Sequence, residues 1–360
     1  LLSAGLTTVP LKEDAVLMLQ KVTEFPSQIS LAYSAIKNKS LHPDLSGRIS
    51  KILISGMGAS GVVGDFVRVL MRNSRVPVFV QKNSFLPAYV DEETLVISIT
   101  YSGRTRETLD ILNSSMIAGS KNLVVTSSFE LGSICSRKGI PWVDIPENGF
   151  PRATLGFMLI SVMDVLQRLG LIESFDSDIE EAIATLDEIK SQCGPETPDK
   201  SNPARLLAHA LMGRFPVIYS ESGFTEVVAV RWKQQINENG KAHCYHDLFP
   251  ELLHNEVESW HLADNSNVRE YALLLLRDAI WERSSGMEGK IEAAKRLAEA
   301  KGAKVFDLWT KGESELARLL SLCYVGDFVS VYLALSRGVD PGPVHNIEQL
   351  KKVSISGKEI

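Results

Sequence analysis

Cysteine is scarce in this chain: Cys135, Cys193, Cys244 and Cys323 are the only four in 360 residues, and no two form a CxxC pair. That density excludes a disulfide scaffold, and the simplest expectation is reduced thiols in the cytoplasm. Positive charge is in short supply as well. Lys and Arg number 38 against 44 Asp and Glu, for a net charge of −6 at pH 7. A nucleic-acid footprint needs clustered positive charge, so that class of partner is not expected. Any anionic ligand has to be held by a local device and not by the global field. No apolar run approaches the roughly 20 residues that span a bilayer, so no membrane partner is expected. Residues 1–10 lack the basic-then-apolar layout of a signal peptide. The chain opens on Leu1 rather than Met, as a fragment or a processed chain would.

What is present is ordinary globular composition, 44% hydrophobic and 23% charged, in a chain long for one core. Two domains are therefore expected. Residues 11–41 read as helical. Residues 51–55 (KILIS) form a short apolar run ending in Gly56-Met57-Gly58-Ala59-Ser60-Gly61, after which Val62, Val63, Phe66, Val67 and Leu70 recur at helical spacing. Residues 76–80 and 95–100 read as further strands, 105–117 as a helix and 122–126 as a strand. Strand, polar turn and helix thus alternate, which predicts an α/β fold with a parallel sheet covered on both faces. Residues 174–202 are polar and acidic and read as a helix followed by an exposed linker. The alternation then restarts, with strands at 215–219, 271–277 and 303–308, helices at 225–237, 289–301 and 313–336, and a tail helix at 347–352. The reading is two doubly wound, flavodoxin-like units, 1–202 and 203–360.

The segment Thr100-Tyr101-Ser102-Gly103-Arg104-Thr105 sits where a strand gives way to a helix. Such a junction offers unpaired backbone N–H groups and the positive end of the helix dipole. Thr100, Ser102 and Thr105 add hydroxyls, and Gly103 lets the backbone approach an anion. Ser and Thr are also preferred helix caps, so an ordinary N-cap explains the same composition. The turn at 56–61 matches G-x-G-x-x-G, but a dinucleotide site needs an acidic residue at the end of the next strand, where Gln81-Lys82 stand. A turn in which Gly58 brings backbone close to a sugar and Ser60 donates fits as well. A similar string at 220–225 (SESGFT) carries Glu221, which opposes a phosphate; a capped helix start is expected there.

Glu238 falls at a helix end, where a carboxylate opposes the dipole's negative end at a cost of about 0.3–1 kcal/mol. His254 lies between Leu252-Leu253 and Val257, a setting that reads as a buried, satisfied histidine. A carboxylate and an imidazole in one cleft are the set aldose–ketose isomerisation requires: a base to move a proton between C1 and C2, and a second group to open the ring. Lys351 supplies positive charge near the tail, or is a solvated tail lysine. His243 and Cys244 are adjacent and, as strand neighbours, point to opposite faces, so no metal site is expected among them and His246.

These pieces together resemble the bifunctional phosphoglucose/phosphomannose isomerases, a branch of the SIS-fold sugar isomerases, over nearly the whole chain after Lys51. The marks are GMGASG at 56–61, TYSGRT at 100–105, ENGFPRATLG at 147–156, WKQQINEN at 232–239, HNEVESW at 254–260 and LKK at 350–352. The resemblance implies two SIS domains enclosing one site, with no metal or organic cofactor. It implies phosphate binding by Ser60, Thr100, Ser102 and Thr105, and stabilisation of a cis-enediolate by Arg152. Glu238 becomes the base that shuttles the C1/C2 proton, and His254 opens the ring with help from Lys351. A homodimer whose subunits share site residues is also implied, acting on glucose 6-phosphate and mannose 6-phosphate to form fructose 6-phosphate. Two positions depart from the pattern: Arg104 stands where a small polar residue is usual, and no Ser or Thr lies between Val339 and Lys351, where handling both C2 epimers implies a threonine. The competing readings are a non-catalytic SIS sugar-phosphate regulator and another SIS aminosugar-phosphate isomerase. A regulator needs none of Arg152, Glu238, His254 and Lys351, and a transcriptional one needs a basic helix-turn-helix that residues 11–41 do not provide.

Overall fold

The computed structural model describes residues 13–36, 45–261 and 266–353. It opens with two helices, α1 (Glu13–Thr23) and α2 (Phe25–Ile36), where one was expected. The break falls before Pro26, which is tolerated in the first turn of α2 but not inside a continuous helix. The outer ends of the expected helix, 11–12 and 37–41, lie outside the described residues.

The first sheet follows from β1 (Lys51–Ser55), α3 (Ala59–Leu70), β2 (Val78–Gln81), β3 (Thr94–Ile99), α4 (Arg106–Ile117), β4 (Lys121–Thr126), α5 (Phe129–Arg137) and β5 (Trp142–Asp144). Its five strands are all parallel in the order β2-β1-β3-β4-β5. Every residue of β3 is buried, the unbroken apolar pattern expected of a strand covered on both faces. Three helices lead out of this unit: α6 (Leu155–Arg168), α7 (Asp176–Cys193) and α8 (Pro203–Ala210).

The second unit comprises β6 (Phe215–Glu221), α9 (Glu226–Glu238), β7 (Tyr245–Phe249), β8 (Tyr271–Arg277), α10 (Ala279–Ser285), α11 (Glu288–Ala300), β9 (Lys304–Trp309), α12 (Glu315–Ser336) and α13 (His345–Val353). Its four strands are parallel in the order β7-β6-β8-β9. In both sheets the first strand has its successor on one side and its third strand on the other. The topological switch point, where ligands of doubly wound sheets bind, lies between β1 and β3 in one and between β6 and β8 in the other.

One apolar cluster runs through both units, from Ile29 of α2 and Met158 of α6 to Trp232 of α9 and Phe328 of α12. The stretch read as a helix and exposed linker is that: α7 buries Ile179, Ala182, Leu186, Ile189 and Cys193 and packs against α12, and Glu196 and residues 198–201 are exposed. Asn202 closes the connection, donating to the carbonyls of Cys193 and Gly194 and capping α8 at Arg205 N–H. Among the described residues α12 is the one helix long and apolar enough to cross a membrane, contrary to the expectation of no such run. Its apolar stretch is 83% buried inside the fold. Its Asp327 forms a buried pair with Arg231 of α9 at 2.6 Å. Trp232 is fully buried and donates to the Leu322 carbonyl at 2.9 Å. It fits because Gly326 has no Cβ, which would lie 2.3 Å from the indole nitrogen. Truncating such a side chain typically costs about 3–5 kcal/mol, so the α9–α12 seam is a rigid base for whatever α9 carries at its end.

Candidate active site

The turns at 56–61 and 100–105 leave adjacent parallel strands at the same carboxyl edge, so the fold brings Gly58, Ser60, Thr100, Ser102 and Thr105 to one switch point. Neither helix that starts there has a side-chain cap. Gly58, at φ 54, precedes α3, and Thr105 precedes α4 without accepting from a backbone N–H of that helix. The Thr105 hydroxyl instead accepts from the Thr100 hydroxyl at 3.2 Å. Capping of α3 and α4 therefore does not occupy these side chains, although the Ser102 hydroxyl accepts the Arg104 N–H of its own turn at 3.3 Å. Ser60 is buried, with only the Met158 thioether near its Oγ, at 3.7 Å, a weak acceptor. Gly103, at φ 68, packs where a Cβ would lie 2.4 Å from that of Ser128, so the loop needs glycine. β2 ends at Gln81, with no acidic residue at the strand end, and Lys82 beside it pairs with Asp65 of α3.

Arg152 projects from a short 3₁₀ turn, Pro151–Ala153, and is 4% exposed. Its turn is fixed from several directions. Arg231 donates to the Arg152 carbonyl at 3.0 Å, and Gln28 of α2 donates to that of Ala153 at 2.7 Å. Tyr101 in the hydroxyl-rich loop accepts the Asn148 N–H at 2.7 Å, which ties the loop to the segment leading into this turn. The guanidinium crosses into the second unit. Its Nε donates to Asn239 Oδ1, and its Nη2 donates to the Pro341 and Gly342 carbonyls, all at 2.6 Å. Its Nη1 lies 4.0 Å from the Glu238 carboxylate. Burial pushes the guanidinium down from its usual value and the Glu238 charge pulls it back. Glu238, the last residue of α9, keeps a side chain 24% exposed. A carboxylate accessible to a ligand thus faces a buried cation whose other N–H groups are committed to protein oxygens.

Two expected site residues stand apart from this pair. His254 ends a 3₁₀ turn, Glu251–His254, and is exposed, not buried. Lys351 lies exposed on α13, the helix that follows the 341–343 loop. Neither makes a hydrogen bond or ion pair with Arg152 or Glu238. Arg104 points to solvent, 81% exposed, against an equally open Glu130 at 3.2 Å. His243 and Cys244 precede β7 and are not strand neighbours, although their sides do differ: His243 is exposed and Cys244 is buried.

The string at 220–225 is the counterpart of the glycine turn, since β6 occupies the position of β1. There Glu226, one residue into α9, accepts from the Ser222 hydroxyl at 3.1 Å and the Gly223 N–H at 3.0 Å, and pairs with Arg68. A protein carboxylate holds the position an anion would take. The capped helix start expected there is not formed: Thr225 makes no side-chain cap to α9, and its hydroxyl accepts the Glu221 N–H at 2.9 Å instead. Sequence reasoning missed Tyr101, Asn148, Asn239 and Lys241. The Lys241 ammonium donates to the carbonyls of Glu238, Pro341 and Pro343, and burial, then the Arg152 charge, push it below its usual value. No local signal reveals these four, because each acts through a partner far along the chain.

Comparison with known proteins agrees with this architecture. A family model described as the bacterial phospho-glucose isomerase C-terminal SIS domain matches residues 200–353. A bifunctional phosphoglucose/phosphomannose isomerase of Caldicellulosiruptor bescii is 36% identical over 335 residues, covering 93% of this chain and 98% of that protein. One of Aquifex aeolicus is 35% identical over 303 residues, covering 84% and 89%. Among solved structures, tagatose-6-phosphate ketose/aldose isomerase from Escherichia coli superposes with a TM-score of 0.67 at 13% identity, covering 93% of this chain and 98% of that one, a likeness of fold. At 36% and 35% identity over 93% and 84% of its length, this chain belongs to the bifunctional phosphoglucose/phosphomannose isomerase family.

Proposed function

We propose that this chain interconverts glucose 6-phosphate and fructose 6-phosphate, takes mannose 6-phosphate as a second aldose, and divides near Pro203 into two SIS units. The observation that carries the reading is the buried Arg152 guanidinium facing the Glu238 carboxylate across 4.0 Å, each from a different unit. The names of the relatives from C. bescii and A. aeolicus support the substrates. In the proposed reaction the phosphate sits on the uncapped turns with Gly58, Ser60, Thr100, Ser102 and Thr105. His254 relays the O1 hydroxyl proton to the ring oxygen as the bond from C1 to the ring oxygen breaks and the C1 carbonyl forms, and Lys351 steadies the oxygens nearby. Glu238 takes the proton from C2 of the open aldose; the C–H electron pair forms the C1–C2 double bond, and the carbonyl electrons move to O1. Arg152 stabilises that oxyanion. The O2 proton passes to O1, and Glu238 returns its proton to C1, which leaves the ketose.

An exposed His254 supports a homodimer in which one subunit brings its imidazole to the other's site. Four free, buried cysteines support a reducing, cytoplasmic setting. The test is a coupled assay of fructose 6-phosphate formation from glucose 6-phosphate and from mannose 6-phosphate, with and without EDTA. Turnover of both, unaffected by EDTA, is expected. Tight binding of either sugar phosphate with no turnover would sink the enzyme reading and leave a sensor.

A further inference from the structure

Beyond Glu238 the chain passes Asn239 and Gly240, whose added Cβ would lie 2.7 Å from the Ile236 carbonyl oxygen. It then turns at Lys241, which adopts φ 50. Among the described residues Lys241 is the one non-glycine residue with positive φ. A lysine there costs about 1–2 kcal/mol relative to ordinary backbone, so something has to hold it. Its ammonium supplies the hold. It donates to the Glu238 carbonyl, to that of Pro343 at 2.6 Å and to that of Pro341 at 3.3 Å. All three ammonium hydrogens thus meet backbone oxygens. The first of these carbonyls is an orphan of the last turn of α9, at the negative end of its dipole. The other two belong to the loop that Arg152 grips through Pro341 and Gly342. Two cations from different segments converge on one three-residue loop and share the Pro341 oxygen.

We propose that Lys241 is a positioning residue for the isomerisation: it locks the end of α9 to the 341–343 loop, so that the Glu238 carboxylate and the Arg152 guanidinium keep one separation. The proposal rests on the reading of Glu238 as the base. The phosphate turns lie on other elements, so losing the ammonium disturbs proton transfer and leaves substrate binding nearly as it was. A misplacement near 1 Å at the reacting groups costs about 10²-fold in rate.

The experiment is steady-state kinetics of Lys241→Met and Lys241→Gln with fructose 6-phosphate and glucose 6-phosphate, with folding followed by circular dichroism. For folded K241M we expect kcat to fall about 10–100-fold while KM stays within about threefold, and K241Q, which keeps two donors, to lose less. A folded K241M with kcat within about twofold of the parent, or a loss confined to KM, overturns the proposal. Should K241M fail to fold, K241Q decides by the same split: a kcat loss at constant KM supports it, and any other pattern overturns it. Glu238→Gln is measured alongside. Near-normal kcat in E238Q removes the base reading whatever K241M does; an inactive E238Q beside a normal K241M removes only the role of Lys241.

Discussion

In the first sheet the turns after β1 and β3 start α3 and α4 without a side-chain cap, whereas in the second a carboxylate takes an N–H at each turn: Glu226 in the turn before α9, where Thr225 forms no side-chain cap, and Asp278 as the cap of α10. Glu226 takes the Gly223 N–H, and Asp278 caps α10 at the Trp281 N–H, 2.7 Å away. The strand order is the same and the helix ends offer the same orphan donors. What differs is who satisfies them. An acidic protein that is to hold a dianion must leave one set of donors to the ligand, and under the proposed function that set is in the turns of the first unit. The second unit answers its own donors with carboxylates and contributes at its far end, where α9 delivers Glu238. Under the proposed function, the first unit binds the phosphate and supplies Arg152, and the second supplies the base.

The sharpest test of that division is E238Q, which removes the base and leaves the phosphate turns intact. Its kcat should fall about 10²–10⁴-fold with KM little changed, by steady-state assay. The converse is Ser102→Ala combined with Thr105→Val, which removes two hydroxyls from the first switch point. Hydrogen bonds to a charged group contribute about 1.5–3 kcal/mol each, so losing two should raise KM about 100-fold or more, with kcat changed less. If this double variant lost kcat at constant KM, the assignment of binding to the first unit would be wrong.

In the second unit, Glu226→Gln should leave KM unchanged and cost about 1–3 kcal/mol of stability at pH 7, read by urea unfolding. Burial alone would push the Glu226 carboxyl up, but the Gly223 N–H and the Arg68 guanidinium hold it below the usual carboxylate range. A depressed pKa gives stabilisation that is present above the unfolded value of about 4.3 and lost as pH falls through the folded one. The gap between E226Q and the parent should therefore close below about pH 4. The smallest effect belongs to Arg104→Ala. An exposed pair such as Arg104–Glu130 is worth about 0–1 kcal/mol, so KM should move by less than about twofold. A larger rise would bring Arg104 into the phosphate site.

Much of the framework was legible because its signals are local. KILIS and the all-buried stretch at β3 announce covered parallel strands, and the hydroxyl-rich turn after β3 announces a helix start with donors to spare. β7 escaped because Tyr245-His246-Asp247-Leu248-Phe249 is an edge strand with only Phe249 buried, so its pattern looks polar. α7 is legible as a helix, but its many charged positions hide the five buried ones by which it packs into the fold. His254 read as buried from its apolar neighbours, but in that 3₁₀ turn Leu252 and Leu253 pack inward and the imidazole is left exposed.

From sequence alone, two alternating α/β units follow, since apolar periodicity and glycine turns act within a few residues of themselves. The hydroxyl-rich turn and the carboxylate at the end of α9 follow in the same way. Only the tertiary structure decided that the first switch point lacks its own caps while Glu226 fills the second. It alone decided that Arg152 faces Glu238, and that Lys241 and Arg152 grip the same loop. The partners in those contacts stand up to 190 positions apart. Their meeting depends on how α9 and α12 pack, which no local pattern encodes.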